Sequence, residues 1–199
     1  METVDSILQF WFGSASGDAD VAREQSTLWW KKSTETDARI RDRFAGILED
    51  VVNGRRDEWL ADARGHLAMI ITTDQFPRNI YRETPRAFAS DHVALRLCKQ
   101  GLDGGIDRLL RPIERVFFYL PLEHSESLDD QDQSVALFTA LADGVAQDQR
   151  EPFTGFVGYA VRHREVIERF GRFPHRNAIL GRASSEEEEA FLKQPGSSF

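Results

Sequence analysis

Cysteine is nearly absent from this 199-residue sequence. Cys98 stands alone, so no intrachain disulfide can form and a single chain cannot assemble a thiolate metal cluster, which suits a reducing compartment. Long apolar runs are also missing. The longest strongly apolar stretch, residues 116–122, falls far short of the ~20 residues that cross a bilayer. The opening Met1-Glu2-Thr3-Val4-Asp5 is acidic where a secretory signal is basic. A cytoplasmic protein without a membrane partner is therefore expected. Positive charge is in deficit too, and a net charge of -8 disfavours nucleic acid as a partner, because neutralising phosphates needs a basic face. Part of that charge lies in Glu186-Glu187-Glu188-Glu189, which reads as a favourable first helical turn.

What is present points to a folded core. The apolar fraction is 41% and the charged fraction 29%, with four tryptophans and fourteen phenylalanines, and the length suits one domain over residues 1–199. Apolar residues recur at helical intervals almost throughout. Val4, Ile7, Leu8 and Trp11 form one stripe, closed by Gly13 and followed by a Gly/Ser/Asp loop. Ile40, Phe44, Ile47, Leu48 and Val51 form the clearest helix, capped by Ser33 or Thr34 and stopped by Asn53-Gly54. Further stripes carry Leu67 to Ile71, Val93 to Cys98, Ile113 to Leu120, Val135 to Leu141 and Phe156 to Phe170. Pro121 should kink or end its helix just before Glu123. Ser127 with Asp130, and Ser184-Ser185 with the glutamates after them, offer helix caps. With no run of alternating strands, the fold class is all-α, a bundle of helices joined by short loops.

One unusual string occurs twice. Gln75-Phe76-Pro77-Arg78-Asn79-Ile80 and Arg172-Phe173-Pro174-His175-Arg176-Asn177-Ala178-Ile179 each follow a helical stripe, stop it with Phe-Pro and then present an arginine and an asparagine. Arginine offers a rigid fork of donors and asparagine a paired donor and acceptor, so two such corners can converge on one polar ligand. Phe-Pro also serves simply to end a helix.

A third segment, Glu123-His124-Ser125-Glu126, puts two carboxylates beside an imidazole just past Pro121. It suits proton transfer, a metal or a ligand amine, and equally a solvated helix end. His163 lies on an apolar stripe, where it is either a core imidazole or one wall of a site shared with Glu123, Glu126, Asp74 or His175. No histidine has a glutamate three residues before it and no His-Glu-x-x-His string exists, so a metal would need ligands from separate helices. There is no Gly-x-Ser-x-Gly elbow. Gly101-Leu102-Asp103-Gly104-Gly105 lacks the strand and lysine of a phosphate loop.

Taken together, Ile7-Leu8-Gln9-Phe10-Trp11-Phe12-Gly13, Trp29-Trp30, the Asp74 to Asn79 string, Tyr119 to Glu126 and Phe170 to Asn177 resemble the bacterial domain-of-unknown-function family 924 over nearly the whole chain. The resemblance implies a superhelix of antiparallel helix pairs similar to tetratricopeptide-repeat proteins, and no settled activity. Ile71-Thr72-Thr73-Asp74 departs from the family, whose members look more apolar before the aspartate.

Three readings follow. The first is a cleft for a small anionic or zwitterionic ligand, with Asp74, Arg78, Asn79, Arg172, Arg176 and Asn177 as binding residues. The second is an enzyme in the same cleft, with His124, His163, His175, Glu123 and Glu126 as acid-base candidates. The third is a peptide scaffold with Trp11, Trp29 and Trp30 lining a groove. Cofactor, ligand identity and oligomeric state are not legible.

Overall fold

A computed structural model describes residues 2–197, and no strand occurs among them. Ten α-helices follow one another: α1 (Val4–Phe12), α2 (Asp18–Trp30), α3 (Thr34–Val52), α4 (Ala63–Asp74), α5 (Phe76–Ile80), α6 (Asp91–Asp103), α7 (Pro112–Glu123), α8 (Leu128–Gly144), α9 (Arg150–Phe170) and α10 (Glu186–Leu192). Short 3-10 turns, among them Pro85–Phe88 and Pro174–Arg176, fill several connections. The α8–α9 pair packs most extensively, followed by α3 on α5 and α4 on α6, which skip one helix in the chain, and then by α7 on α8. This pairing fits the tetratricopeptide-repeat-like similarity.

The local signals act as their chemistry dictates. Ser33 accepts from the Thr36 amide at the start of α3, and Ser185 forms a reciprocal capping box with Glu188 at the start of α10. Four glutamates occupy that first turn, where the helix dipole favours them. At other positions the structure departs from expectation. The Gly/Ser loop after Gly13 is short and ends at Gly17, and α2 follows it unannounced, a polar helix that buries only Val21, Ala22 and Trp29, too few apolar residues to show a stripe. Ser127 makes no capping bond, and Ser90 donates instead to the Thr73 carbonyl at 2.7 Å. Pro121 lies inside α7, which ends with Glu123 rather than before it.

Two helices are sealed in the interior. Every residue of α4 except Arg64 is buried, and α7 is buried from Val116 to Glu123. The hydroxyls of Thr72 and Thr73 are satisfied within α4, donating to the Ala68 and Met69 carbonyls at 2.7 and 2.8 Å. The departure from the family's apolar pattern thus leaves no orphaned polar atom there. Around these helices, Trp11, Phe12, Trp29 and Phe117 meet edge to face or tilted, and Phe44 stacks on Phe76 at 4.4 Å between ring centres. A second, smaller apolar cluster of Val166, Ile167 and Phe173, with Phe170 and Phe191 against it, ties α10 to the end of α9.

Candidate functional site

The ends of the sealed helices meet the two Phe-Pro corners. Neither proline acts only as a stop. Gln75 closes α4, and Phe76 and Pro77 open the next helix, α5. Gly171 ends α9 in the left-handed conformation, φ 66°, and Pro174 then opens a 3-10 turn. A fixed φ and a missing amide proton suit proline to a first helical position. The phenylalanines, Phe76 and Phe173, are fully buried, so each corner is anchored by its aromatic ring and offers its arginine from the turn that follows.

The two arginines meet at one carboxylate. Arg78 forks onto Asp91 through Nη1 and Nη2 at 2.9 and 3.1 Å, and also donates to the Asp74 carbonyl. Nη1 of Arg176 lies 3.5 Å from Oδ2 of Asp91, the oxygen that also takes Nη2 of Arg78. Both guanidiniums lie over the Phe88 ring, and that of Arg176 lies over Phe173 as well. Asp91 is the first residue of α6, where the helix dipole supports its charge. Arg176 is only 7% exposed, and no hydrogen-bond partner for its Nε occurs among the described residues. Burial, and then the charge of Arg78, push its pKa down to about 10, so it stays a cation at neutral pH.

Beneath the arginines lies a layer of acids and imidazoles. Asp74, fully buried at the end of α4, accepts from Gln75 at 2.6 Å and from Nδ1 of His124 at 2.8 Å. Burial alone would raise its pKa; His124 and Arg78 outweigh that and hold the carboxyl well below the usual range. His124 is shifted the opposite way from a surface imidazole in an ion pair. Burial and Arg78 push it down, so at neutral pH it is a neutral ring giving its Nδ1 proton to Asp74. Among the described residues nothing hydrogen-bonds its Nε2, and its side chain is 15% exposed.

Glu123, the last residue of α7, behaves in reverse. Burial first and Asp74 second push it up to about 8, so it is mostly protonated at neutral pH. Nδ1 of His163 on α9 donates to the Tyr159 carbonyl at 2.9 Å and passes 3.3 Å from Glu123. Burial pushes His163 down to about 3 and His175 to about 4, and both are neutral. The His124 and His163 rings lie 6.3 Å apart, and Phe173 lies 5.5 Å from His163.

The other sequence-predicted residues are engaged elsewhere. Asn79 donates to Asp37, which also takes both arms of Arg82. Asn177 bonds Ser184 and Arg182, Arg172 forks onto Glu188, and Glu126 accepts from Arg182 and from the Phe173 amide. These groups brace the corners. Sequence reasoning missed Asp91, whose place in a first helical turn hid it, and also Phe88 and Arg182. Cys98 is buried, and burial pushes its thiol up, away from a nucleophilic thiolate. Among the described residues no group of three or more His, Cys, Asp or Glu side chains is arranged to hold a metal ion, and no helix is long and apolar enough to cross a membrane. Two surface cavities, one beside Trp59 and one beside His92, contain none of the predicted site residues.

Fold and site together define an all-helical protein whose two central helices end at a partly buried arginine-carboxylate cluster. The chain belongs to the family described as "Bacterial protein of unknown function (DUF924)", whose model matches residues 7–196. Among solved structures it is similar to a protein of unknown function, ATU0120, from Agrobacterium tumefaciens, at 32% identity over 96% of each chain and a TM-score of 0.81. No curated protein matches it.

Proposed function

We propose that the protein binds a small anionic or zwitterionic ligand at Arg176 and Arg78. One observation carries this reading: the two corners, about a hundred residues apart in sequence, bring both guanidiniums to Asp91, and the buried one keeps an unpaired Nε. A buried donor without an acceptor is costly, and a ligand oxygen would satisfy it. The neighbouring Phe88 and Phe173 rings supply a dry wall. A thermal-shift screen of small carboxylates, phosphate and amino acids tests this. At least one class should raise the melting temperature of the native protein and not that of Arg176→Gln. A panel without any Arg176-dependent shift would sink the reading.

The Asp74–His124 pair favours a second reading, acid-base catalysis on the bound ligand. A carboxylate that fixes the Nδ1 proton leaves Nε2 as a base. The scaffold reading loses most of its surface, since Trp11 and Trp29 are buried and only Trp30, at 52%, is exposed.

A further inference from the structure

The charges in the cluster are already balanced before any ligand arrives. The carboxylates of Asp74 and Asp91 face the guanidiniums of Arg78 and Arg176. The groups packed around them are neutral: Glu123 from α7, His124 just after it, His163 from α9 and His175 from the second corner. Farther out, Glu126 is neutralised by Arg182, and Arg162 of α9, exposed over the Tyr159 ring, acts weakly on Glu123 from the solvent side. An anion entering beside Arg176 therefore leaves one uncompensated negative charge in a poorly solvated place, which is expensive. A dianion would leave two.

We propose that the site takes up a small monocarboxylate together with one proton, and that Nε2 of His124 receives the proton. This rests on the anion-binding reading above. His124 is the best placed of the neighbouring groups. Its Nδ1 proton is already held by the Asp74 carboxylate, so a second proton makes an imidazolium in contact with an anion. Its Nε2 has no bond to lose among the described residues, and part of the ring reaches solvent. His163, by contrast, is 4% exposed and points its Nδ1 at a backbone carbonyl. The protein would then bind the equivalent of a neutral acid while recognising it as a carboxylate. Affinity becomes linked to pH without any movement of the fold.

The probes are acetate, sulfate and glycine. Acetate dissociation constants are measured from pH 6.5 to 8.5 by NMR titration, with long-range proton-nitrogen spectra reporting the charge of His124. The expected result is an acetate Kd that rises about tenfold per pH unit, as uptake of one proton requires, and a His124 that becomes doubly protonated on binding. Sulfate should bind at least tenfold more weakly than acetate. In His124→Asn, acetate should bind with a Kd that no longer follows pH. If acetate binds natively in an Arg176-dependent way but His124 stays neutral and Kd is flat with pH, the proton coupling is wrong and the anion reading stands. A pH dependence that survives in His124→Asn assigns the proton to another group, and glycine binding more tightly than acetate assigns the charge balance to the ligand; either overturns the proposal. No binding of any probe overturns both readings. The spectra of the native protein decide the matter even where the variant fails to fold.

Discussion

At the first corner, Phe76 is wedged between Phe44 and Trp11 in the main core, and Arg78 is held by two carboxylates and a backbone carbonyl. At the second, Phe173 faces an imidazole and a guanidinium in a satellite cluster, and Arg176 has one distant ion pair. Nearly the same residues thus occupy opposite conditions. One corner is a structural joint whose arginine forks onto Asp91 and faces the buried Asp74; the other presents an arginine with a longer ion pair and, among the described residues, no hydrogen-bond partner for its Nε. The difference teaches that repetition of a motif does not repeat its surroundings. The second corner also differs in sequence, since His175 is inserted between its proline and its arginine.

The anchors give the largest test of that contrast. Phe76→Ala should cost about 3–5 kcal/mol in urea unfolding, as for a large ring removed from a close-packed interior, and Phe173→Ala at least ~1 kcal/mol less because its cluster is small. Equal costs would show that the corners are energetically alike. The arginines come next. Arg78→Gln leaves Asp91 only its longer contact with Arg176 and weakens the hold on the buried Asp74, so a loss of about 2–3 kcal/mol is expected; Arg176→Gln, removing a buried and poorly paired cation, should change stability by less than ~1 kcal/mol. A larger loss from Arg176→Gln would mark that residue as structural too.

The acids below the corners sharpen the comparison through pH. Asp74 is depressed, so the stability it contributes is present above its ordinary value and lost as acid approaches its folded value. Glu123 is raised from 4.5 to about 8, so its contribution is complete below 4.5 and declines as pH climbs to about 8. Glu123→Gln should therefore be the more stable protein at pH 8.5, by several kcal/mol at about 1.4 kcal/mol per unit of that rise, and lose most of that advantage near pH 5. Melting temperatures across that range check it; parallel profiles for the two proteins would mean that Glu123 is already ionised in the native state.

Much of the fold was legible because helical periodicity and capping chemistry are local. The stripes of α3, α7 and α9 and the Ser185 box are read from a dozen residues at a time. Helix α2 was hidden because its stability comes from tertiary contacts through Val21, Ala22 and Trp29, not from its own pattern. In the cluster, the residue types around the corners could be named, but not which of them share a space. Asn79 and Asn177 look equivalent to the arginines beside them and are tied to bracing pairs with Asp37 and Arg182. Asp91 looks like an ordinary first-turn acid and is the point where both arginines meet. Such pairings are long-range facts and leave no local trace.

The contact between Trp11 and Phe76 gives the molecule an optical gauge. The indole meets the Phe76 ring edge-on at 5.7 Å, and Phe76 is two residues beyond Asp74 and two before Arg78. Trp11 is itself sealed from water. A displacement of the first corner would therefore reach a buried fluorophore directly, so emission from this indole, isolated by replacing Trp29, Trp30 and Trp59 with phenylalanine, can follow events at the arginines without any added label.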